Sequence, residues 1–201
     1  RVTPKYAQFL KHFPSFEALA LGTNEEVLRL WRGLGYNRRA LYLKRAAEII
    51  VHEKEKILTP SFMQTLPGIG PNTAGSIYVF SNNLPYIFIE TNIRRVFIHE
   101  FFQNQEKVLD KEILQLIALT LDIKHPKNWY YALMDYGAFL GKQPYNPNIK
   151  SKHYIKQSKF EGSLRQTRGR ILKILLEGKE ISITELHNQI NSPHINSALL
   201  E

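Results

Sequence analysis

The 201-residue sequence contains no cysteine. This absence excludes disulfides, thiolate nucleophiles, and zinc or iron–sulfur centres held by cysteine ligands. Long apolar runs are also missing, since YIFI at 86–89 is far shorter than the roughly 20 residues of a membrane-spanning helix. Hydrophobic residues nevertheless make up 43% of the chain, so we predict a soluble globular protein with one domain, or two small ones, around a real core.

The whole chain has a formal net charge of +9. Acidic residues are nearly absent from two of its stretches. Residues 142–170 hold eight lysines and arginines against one acid, Glu161, and residues 27–47 hold six against none. Clustered positive charge of this kind favours a polyanionic partner. The same clusters also fit two basic faces that are merely solvated, so charge alone leaves both interpretations open.

Helical periodicity and helix-capping residues recur through most of the sequence. Thr23 with Glu26 forms a capping-box pattern, and Pro60 and Pro71 stand where proline favours the first turn of a helix. We therefore predict an all-α fold. Further helices are predicted at 72–81, 91–102, 110–121 after an Asp110 cap, 126–140 and 163–178.

The stretch LPGIGPNTAG at 66–75 combines two closely spaced glycines with two prolines before the sequence becomes helix-compatible again. A helix that starts at Gly70 or Pro71 leaves its first backbone N–H groups unpaired. Glycines without Cβ let a phosphodiester approach these donors closely, so the turn is suited to binding phosphate. A plain turn between two packed helices is the structural alternative.

An acidic residue, Glu90, follows this turn by about twenty residues, within YIFIETNIRRVF. The order of hairpin motif, apolar run, acid and basic pair resembles the helix-hairpin-helix superfamily of base-excision DNA glycosylases. GLGYNRRA at 33–40 and MDYGAFL at 134–140 are most similar to the adenine mismatch glycosylases of the MutY type. The resemblance covers about residues 1–141. It implies hydrolysis of the N-glycosidic bond of a mispaired base, with adenine opposite oxidised guanine or guanine as the favoured substrate.

The resemblance also implies two helical lobes with a DNA cleft between them. The first lobe, a helical barrel that includes the hairpin, is expected at 1–86, and the second at 87–141. We expect the front of the protein, including the N-terminal part of the second lobe, to precede Arg1. Residues 142–162 are predicted to be a basic loop or linker.

The C-terminal extension at 163–201 has the element order with which a winged helix begins. A helix is followed by a short β-like EIS at 180–182 and by a helix that Ser182 and Glu185 would cap. A helical extension packed on the core fits this sequence equally well.

A DNA-binding surface follows from the same resemblance. The hairpin glycines would bind a DNA phosphate through backbone amides, helped by Na+ or K+ at the carbonyls of Leu66 and Ile69. Tyr36 stands where these enzymes insert a tyrosine beside the opposing base, and a core position for its ring is the alternative. The expected DNA contacts are Tyr36, Arg38, Leu66, Gly68, Ile69, Gly70, Asn72, Thr73, Arg94, Lys150 and Lys152.

Two residues are expected to be catalytic. Glu90 occupies the place of the family's essential aspartate, and Asn92 completes the family's acid-x-Asn pattern. Departure of a base builds positive charge on the sugar, which a carboxylate can stabilise. The alternative for Glu90 is an acid favoured at a helix N-terminus by the macrodipole. Bifunctional relatives carry a lysine at the position of Asn72, so an amide there implies a monofunctional enzyme.

The chain also departs from the family in ways that bear on cofactors and activity. Relatives of this type usually bind an iron–sulfur cluster through four cysteines, the first at the position of Gly141, so no cluster is expected here. The family's general acid, a glutamate, lies upstream of the position that aligns with Arg1. Thymine or uracil opposite guanine is the alternative substrate, and a non-catalytic DNA-binding module is the alternative class.

The remaining expectations concern partners, metals and location. The partner is expected to be double-stranded DNA, and the protein is expected to be a monomer without membrane attachment. The seven histidines are scattered, so no metal site is expected beyond the monovalent cation at the hairpin. The expected location is the cytoplasm, in association with the bacterial nucleoid.

Overall fold

The computed structural model describes residues 2–53, 58–178 and 180–200. Helices dominate these ranges, and the pairing of Val108 with Ser151 is an isolated bridge outside any strand. The predicted all-α fold is therefore confirmed. None of the described helices is both long and apolar enough to cross a lipid bilayer. The helices are α1 (Val2–His12), α2 (Phe16–Leu21), α3 (Asn24–Trp31), α4 (Arg38–His52), α5 (Pro60–Met63), α6 (Pro71–Asn82), α7 (Thr91–Phe101), α8 (Asp110–Thr120), α9 (Pro126–Leu140), a 3₁₀ helix (Pro147–Lys150), α10 (Leu164–Leu175), α11 (Ile183–Ile190) and α12 (Ile195–Leu199).

Packing divides the chain into two compact units, the first formed by 1–54 together with 156–201 and the second by the residues between them. The hairpin and Glu90 lie in the same unit, because α6 packs directly against the segment leading to Glu90. The lobes at 1–86 and 87–141 stay a prediction.

In the first unit, α4 packs against α2 and α3. The N–H of Glu26 donates to the Thr23 hydroxyl at 3.2 Å, and the N–H of Thr23 donates to the Glu26 carboxylate at 2.7 Å. This reciprocal pair is the predicted capping box, and it fixes the start of α3. The buried cluster around these helices includes Phe13, which lies between α1 and α2, together with Leu19, Val27, Ala40 and Ala47.

The helices α10 to α12 enclose a separate apolar cluster in the same unit. Ser182 and Glu185 form the predicted capping box at the start of α11. Residues 180–182 form no strand, because a single short extended segment without a neighbouring edge gains no ladder hydrogen bonds. The winged helix is therefore not confirmed, and the described part of the extension is helical. Its buried residues are Ile171, Leu186, Ile190 and Ile195.

In the second unit, α7 packs against α8, α9 and the 3₁₀ helix. Tyr130 on α9 is fully buried, and its ring stacks on Phe88 with the ring centres 4.1 Å apart. Its hydroxyl donates to the carbonyl of Tyr86 at 2.9 Å and accepts from the N–H of Phe88 at 3.3 Å. Burial raises the pKa of Tyr130 to about 12. The segment that precedes α7 is thus held by a side chain from α9.

The segment 142–162, predicted as a basic loop, folds in part into the second unit. It contains the 3₁₀ helix, and Asn148 and Ser151 are buried. The N–H of Val108 donates to the carbonyl of Lys150 at 2.8 Å, so backbone pairing fastens this segment to the residues before α8. Its middle part therefore belongs to the packed structure of this unit.

Candidate functional site

The hairpin is the turn between α5 and α6. Leu66 anchors it with only 4% of its surface exposed, and the N–H of Ile69 closes it by donating to the Leu66 carbonyl at 3.2 Å. Gly68 has a φ of 74°, in the left-handed region that glycine adopts without strain. Gly70 precedes α6, and Pro71 occupies the first helical position. The structure therefore contains the helix, tight turn and helix that the sequence predicts.

Exposed backbone donors gather at this turn. Among the described residues, the N–H groups of Gly68, Gly70, Asn72 and Thr73 have no acceptor. A Cβ built on Gly70 would meet nothing within 4 Å, and its backbone is extended, so no internal packing requires a glycine there. The turn therefore offers unpaired donors, and room to reach them, to a group from outside. This arrangement is the one that binds phosphate at helix N-termini.

The predicted ligands of the monovalent cation are the carbonyls of Leu66 and Ile69. The Leu66 carbonyl already accepts the N–H that closes the turn, whereas the Ile69 carbonyl has no donor within the described ranges. The cation site stays a prediction. Across the part of the chain that the structure describes, no three histidine or carboxylate side chains are grouped so that they could hold a metal ion.

The helix that starts at the hairpin is fastened to the segment leading to Glu90. The Asn72 side-chain oxygen accepts from the N–H of Ile89 at 3.3 Å. A Cβ built on Gly75 would lie 2.7 Å from the Cβ of Phe88 and 2.8 Å from a ring carbon of Tyr86. Only a glycine allows this close approach of α6, which explains the glycine of the TAG sequence in terms of packing.

Glu90 caps the N-terminus of α7. Its Oε1 atom accepts from the N–H of Asn92 at 2.6 Å and from the N–H of Ile93 at 2.9 Å. The structure therefore shows Glu90 in the role of the sequence-based alternative, an acid at the N-terminus of a helix. No partner among the described residues contacts Oε2, and the residue is half-buried. One carboxylate oxygen is thus fixed by the helix while the other remains available to a second group.

Asn92 takes part in a network that sequence reasoning did not find. Its side-chain oxygen accepts from Nη1 of Arg95 at 2.8 Å, and Nη1 also donates to the carbonyl of Gly137 at 2.5 Å. A Cβ on Gly137 would lie 2.3 Å from the Asn92 carbonyl oxygen, so α9 touches α7 backbone to backbone here. Gly137, the glycine of MDYGAFL, was the sequence feature that could have indicated a close helix contact, but nothing in the sequence identified Asn92 as its partner.

The network extends to Gly141, the position at which the resemblance places the first cluster ligand. A Cβ built there would lie 2.6 Å from Nη1 of Arg95, so this guanidinium fills the space beside the glycine. The chain offers no thiolate, and an iron–sulfur cluster does not fit this donor set. Arg95 Nε also donates to the side-chain oxygen of Asn146 at 3.2 Å, and Asn148 donates to the Thr91 carbonyl at 3.0 Å. Two asparagines thereby contact the N-terminal half of α7.

Arg94, an expected DNA contact, is committed to an internal ion pair. Its Nε and Nη2 atoms each lie 2.7 Å from an oxygen of Asp110, and its side chain is only 16% exposed. These hydrogen bonds hold the pKa of the Asp110 carboxyl below its ordinary value, against the opposing effect of burial. The predicted Asp110 cap is corrected by this geometry. Leu109 is the N-cap residue of α8, and the Asp110 side chain turns to Arg94 instead.

Tyr36 lies in the first unit on a loop with an unusual backbone. Gly33 and Gly35 have φ values of 92° and 73°, and Tyr36 itself has 51°, a left-handed conformation rarely adopted by a bulky residue. The residue is 64% exposed, which is not the core position considered as an alternative. The Arg39 guanidinium lies 5.1 Å from the ring centre, and the Gln157 amide donates to the hydroxyl at 3.3 Å. The loop thus presents an aromatic ring at the surface.

The remaining expected DNA contacts are basic side chains. Arg38 is exposed at the start of α4 in the first unit, and Lys152 is exposed in the second. The Lys150 ammonium donates to the carbonyl of Gln103 at 2.6 Å, which keeps it close to the end of α7. The second unit therefore contains the hairpin, Asn72, Glu90, Asn92, Arg94, Lys150 and Lys152, while Tyr36 and Arg38 belong to the first.

Comparison with known proteins agrees with this geometry. Residues 1–119 match the family model described as HhH-GPD superfamily base excision DNA repair protein. The chain is 32% identical over 181 residues to the adenine DNA glycosylase of Buchnera aphidicola subsp. Baizongia pistaciae, covering 85% of this chain and 51% of that protein. It is 28% identical over 194 residues to the adenine DNA glycosylase of Mycolicibacterium smegmatis, covering 87% and 66%.

A solved structure gives the same architecture. The structure of a thermostable thymine-DNA glycosylase superposes with a TM-score of 0.61 at 18% identity, covering 74% of this chain and 71% of that one. At 18% identity, this similarity shows that the two proteins share a fold and nothing further. The chain spans about half the length of the curated relatives that it matches, from 40% to 66% among the bacterial proteins from Buchnera and Mycolicibacterium.

Proposed function

Because the chain belongs to the HhH-GPD superfamily of base excision DNA repair proteins, we propose that it acts as a DNA N-glycosylase on adenine opposite oxidised guanine or guanine. The observation that carries this proposal is that the second unit contains both the exposed hairpin amides and the carboxylate of Glu90. Asn72 links the two, because it lies at the hairpin and its side chain accepts the N–H of Ile89, next to Glu90. The relatives named adenine DNA glycosylase support the choice of base.

The proposed chemistry uses the free oxygen of Glu90. When the bond between sugar and base breaks, its electron pair leaves with the base and positive charge develops on the sugar ring. The Oε1 atom is already bonded to two backbone N–H groups, so Oε2 is the atom that would face this charge. Water then adds to the sugar and loses a proton, and the departing base gains one, which completes the hydrolysis. Asn92, held by Arg95, would orient the first turn of α7 in this state.

The proposed DNA contacts follow from the exposed donors and cations. The hairpin amides would bind a backbone phosphate of double-stranded DNA, with Na+ or K+ at the carbonyls of Leu66 and Ile69. Tyr36 would enter the duplex beside the opposing base while the target nucleotide is flipped out. The exposed Arg38 and Lys152 would contact phosphates. Arg94 would act indirectly, since its charge is paired with Asp110.

The proposed enzyme is monofunctional and works without an iron–sulfur cluster. Asn72 carries an amide where a Schiff base needs an amine, and the chain has no cysteine to ligate a cluster. Arg95, Asn146 and Asn148 would then stabilise the region around Gly141. We further propose a monomer that works in the cytoplasm at the bacterial nucleoid.

A panel of duplexes tests this function. Each duplex carries one mispair, namely adenine opposite oxidised guanine, adenine opposite guanine, thymine opposite guanine or uracil opposite guanine, with a fully paired control. After incubation, alkali converts each abasic site into a strand break. We expect breaks in the two adenine mispairs after alkali and none before it. Cleavage only of the thymine or uracil mispairs would favour the alternative substrate.

A non-catalytic DNA-binding module is the second candidate, because Glu90 is already used as a helix cap. The same panel distinguishes it. A binding module would shift the mobility of the duplexes in a gel without releasing any base. Trapping with borohydride adds a check on mechanism, since a covalent adduct with the native chain would contradict the monofunctional assignment.

A further inference from the structure

The hydrogen bond from Ile89 to Asn72 ties the first turn of α6 to the end of the segment that leads to Glu90, in addition to the close approach of Gly75 to Phe88. Asn72 lies in the first turn of α6, and Ile89 is the last residue before Glu90. Ile89 is only 2% exposed, and among the described residues its N–H has no other acceptor than the Asn72 oxygen. A buried N–H without a partner is costly, so this side chain satisfies a donor that would otherwise be lost.

The segment that carries Ile89 has no secondary structure of its own. Residues 83–90 lie between α6 and α7, so their position depends on contacts from neighbouring elements. The Tyr130 hydroxyl holds Tyr86 and Phe88, and the Asn72 amide holds Ile89. Within 83–90, Asn72 therefore makes the side-chain attachment nearest in sequence to Glu90, at the residue directly before the one that caps α7.

We propose that Asn72 is a positioning residue that fixes the Glu90 carboxylate relative to the hairpin. Its side-chain oxygen holds the peptide of Ile89, while its own backbone N–H is one of the unpaired donors at the turn. One residue thus links the group that would bind a DNA phosphate to the group that would face the sugar. This inference rests on the proposed function, and it adds a role for Asn72 beyond the absence of an amine.

Two substitutions and one control isolate this link. Asn72→Ala removes the acceptor, whereas Asn72→Asp keeps an oxygen acceptor of the same shape and adds a charge at the hairpin. Asn82→Ala is the matched control, because the Asn82 amide bonds to the Tyr78 carbonyl at the other end of the same helix. Asn72 and Asn82 are both exposed, so we expect all three variants to fold.

Amide hydrogen exchange of the free protein tests the link without requiring any activity. Asn72→Ala should speed exchange at Ile89 by about fivefold or more, since a hydrogen bond worth about 1 kcal/mol is lost. It should also speed exchange at Asn92 and Ile93, whose N–H groups bond to Glu90. Asn72→Asp and Asn82→Ala should leave these three sites near native. Unchanged exchange in Asn72→Ala, or an equal rise at Ile117 in α8, would overturn the proposal.

Base release measured with the enzyme in excess over DNA supplies the second readout. On bound duplex, Asn72→Ala should slow release about tenfold or more, since small displacements of a catalytic group are costly. Asn72→Asp should bind DNA more weakly yet release the base at a rate closer to native once bound. Equal slowing by Ala and Asp on bound DNA would overturn positioning through the acceptor. A native chain that releases no base refutes the proposed function instead, and the exchange data still decide the role of Asn72.

Discussion

The hairpin with the Glu90 segment, residues 66–93, and the Tyr36 loop, residues 33–37, are both expected to touch DNA, yet they are built differently. The first is held by contacts to buried or half-buried backbone, including those of Asn72 and Tyr130. The Tyr36 loop contains three left-handed residues, and it is held by an exposed cation–π contact and by exposed hydrogen bonds from Gln157 and from the Trp31 indole to the Gly35 carbonyl. Buried contacts resist displacement more strongly than exposed ones.

This difference corresponds to two tasks. A carboxylate that stabilises charge at one atom must be held in place, because misplacement by about 1 Å costs on the order of a hundredfold in rate. An aromatic ring that enters a base stack has to leave water easily and adjust to the duplex. The molecule thus places rigid support under the proposed chemistry and leaves the proposed wedge exposed at the surface.

The largest effect is expected for Glu90→Gln. The amide oxygen can still accept from the N–H groups of Asn92 and Ile93, so the cap and the fold should persist. The missing negative charge should slow base release by about a hundredfold to a thousandfold while duplex affinity changes little. Single-turnover rates and binding titrations on the same duplex measure both quantities. Undiminished base release would remove Glu90 from the proposed mechanism.

A smaller effect, on stability, is expected for Gly137→Ala. The new methyl group would lie 2.3 Å from the Asn92 carbonyl oxygen, so α7 and α9 must separate. We expect a loss of about 1–3 kcal/mol in the free energy of unfolding, measured with urea. Gly169→Ala on α10 is the control, because its Cβ meets nothing and helix propensity improves. Equal stability changes in the two variants would contradict the tight contact between the helices.

The next effect, on duplex affinity, is expected for Gly70→Asp, which changes the hairpin and leaves Glu90 unchanged. Gly70→Asp places a carboxylate beside the unpaired amides without any internal clash. Repulsion from a phosphate should weaken duplex binding about five- to tenfold, whatever the sequence or mispair. Ser81→Asp adds the same charge at the exposed far end of α6 and should change affinity little. Titrations at one fixed salt concentration decide this, and equal affinities for both variants would place the DNA elsewhere.

The smallest effect is expected for Tyr36→Phe, in a direct comparison with Tyr130→Phe. Loss of the exposed Tyr36 hydroxyl removes only the bond from Gln157, so the free energy of unfolding should change by less than about 0.5 kcal/mol. Loss of the Tyr130 hydroxyl leaves the buried N–H of Phe88 and the half-buried carbonyl of Tyr86 unpaired and should cost about 1–3 kcal/mol. Urea unfolding of both variants gives the comparison. Similar losses in the free energy of unfolding for both variants would contradict the proposed difference between the Tyr36 loop and the Glu90 segment.

Local features of the structure were predictable from the sequence. The capping boxes at Thr23 and Ser182 depend on residues three positions apart, and the hairpin depends on glycine and proline within a few residues. Such signals are readable because both partners lie in the same short stretch of chain. The order of helices and the position of Glu90 at a helix start followed from them.

Contacts between distant positions were not predictable. Arg94 is expected to contact DNA from the resemblance, and the sequence gave no indication that its charge pairs with Asp110 from another helix. The sequence also gave no indication that Asn148 would reach Thr91, or that Gly137 would touch Asn92. No local pattern encodes these pairings, because they arise only when α7, α8, α9 and the 3₁₀ helix pack together.

The phenolic proton of Tyr130 is itself a structural component of the second unit. It makes the bond to the Tyr86 carbonyl, and an ionised oxygen could no longer donate there. Because burial raises the pKa of Tyr130 to about 12, this contribution is complete below the ordinary tyrosine pKa of about 10 and is lost as pH rises toward 12. Strong alkali should therefore loosen the segment that leads to Glu90, and tyrosinate absorbance would report the ionisation of Tyr130.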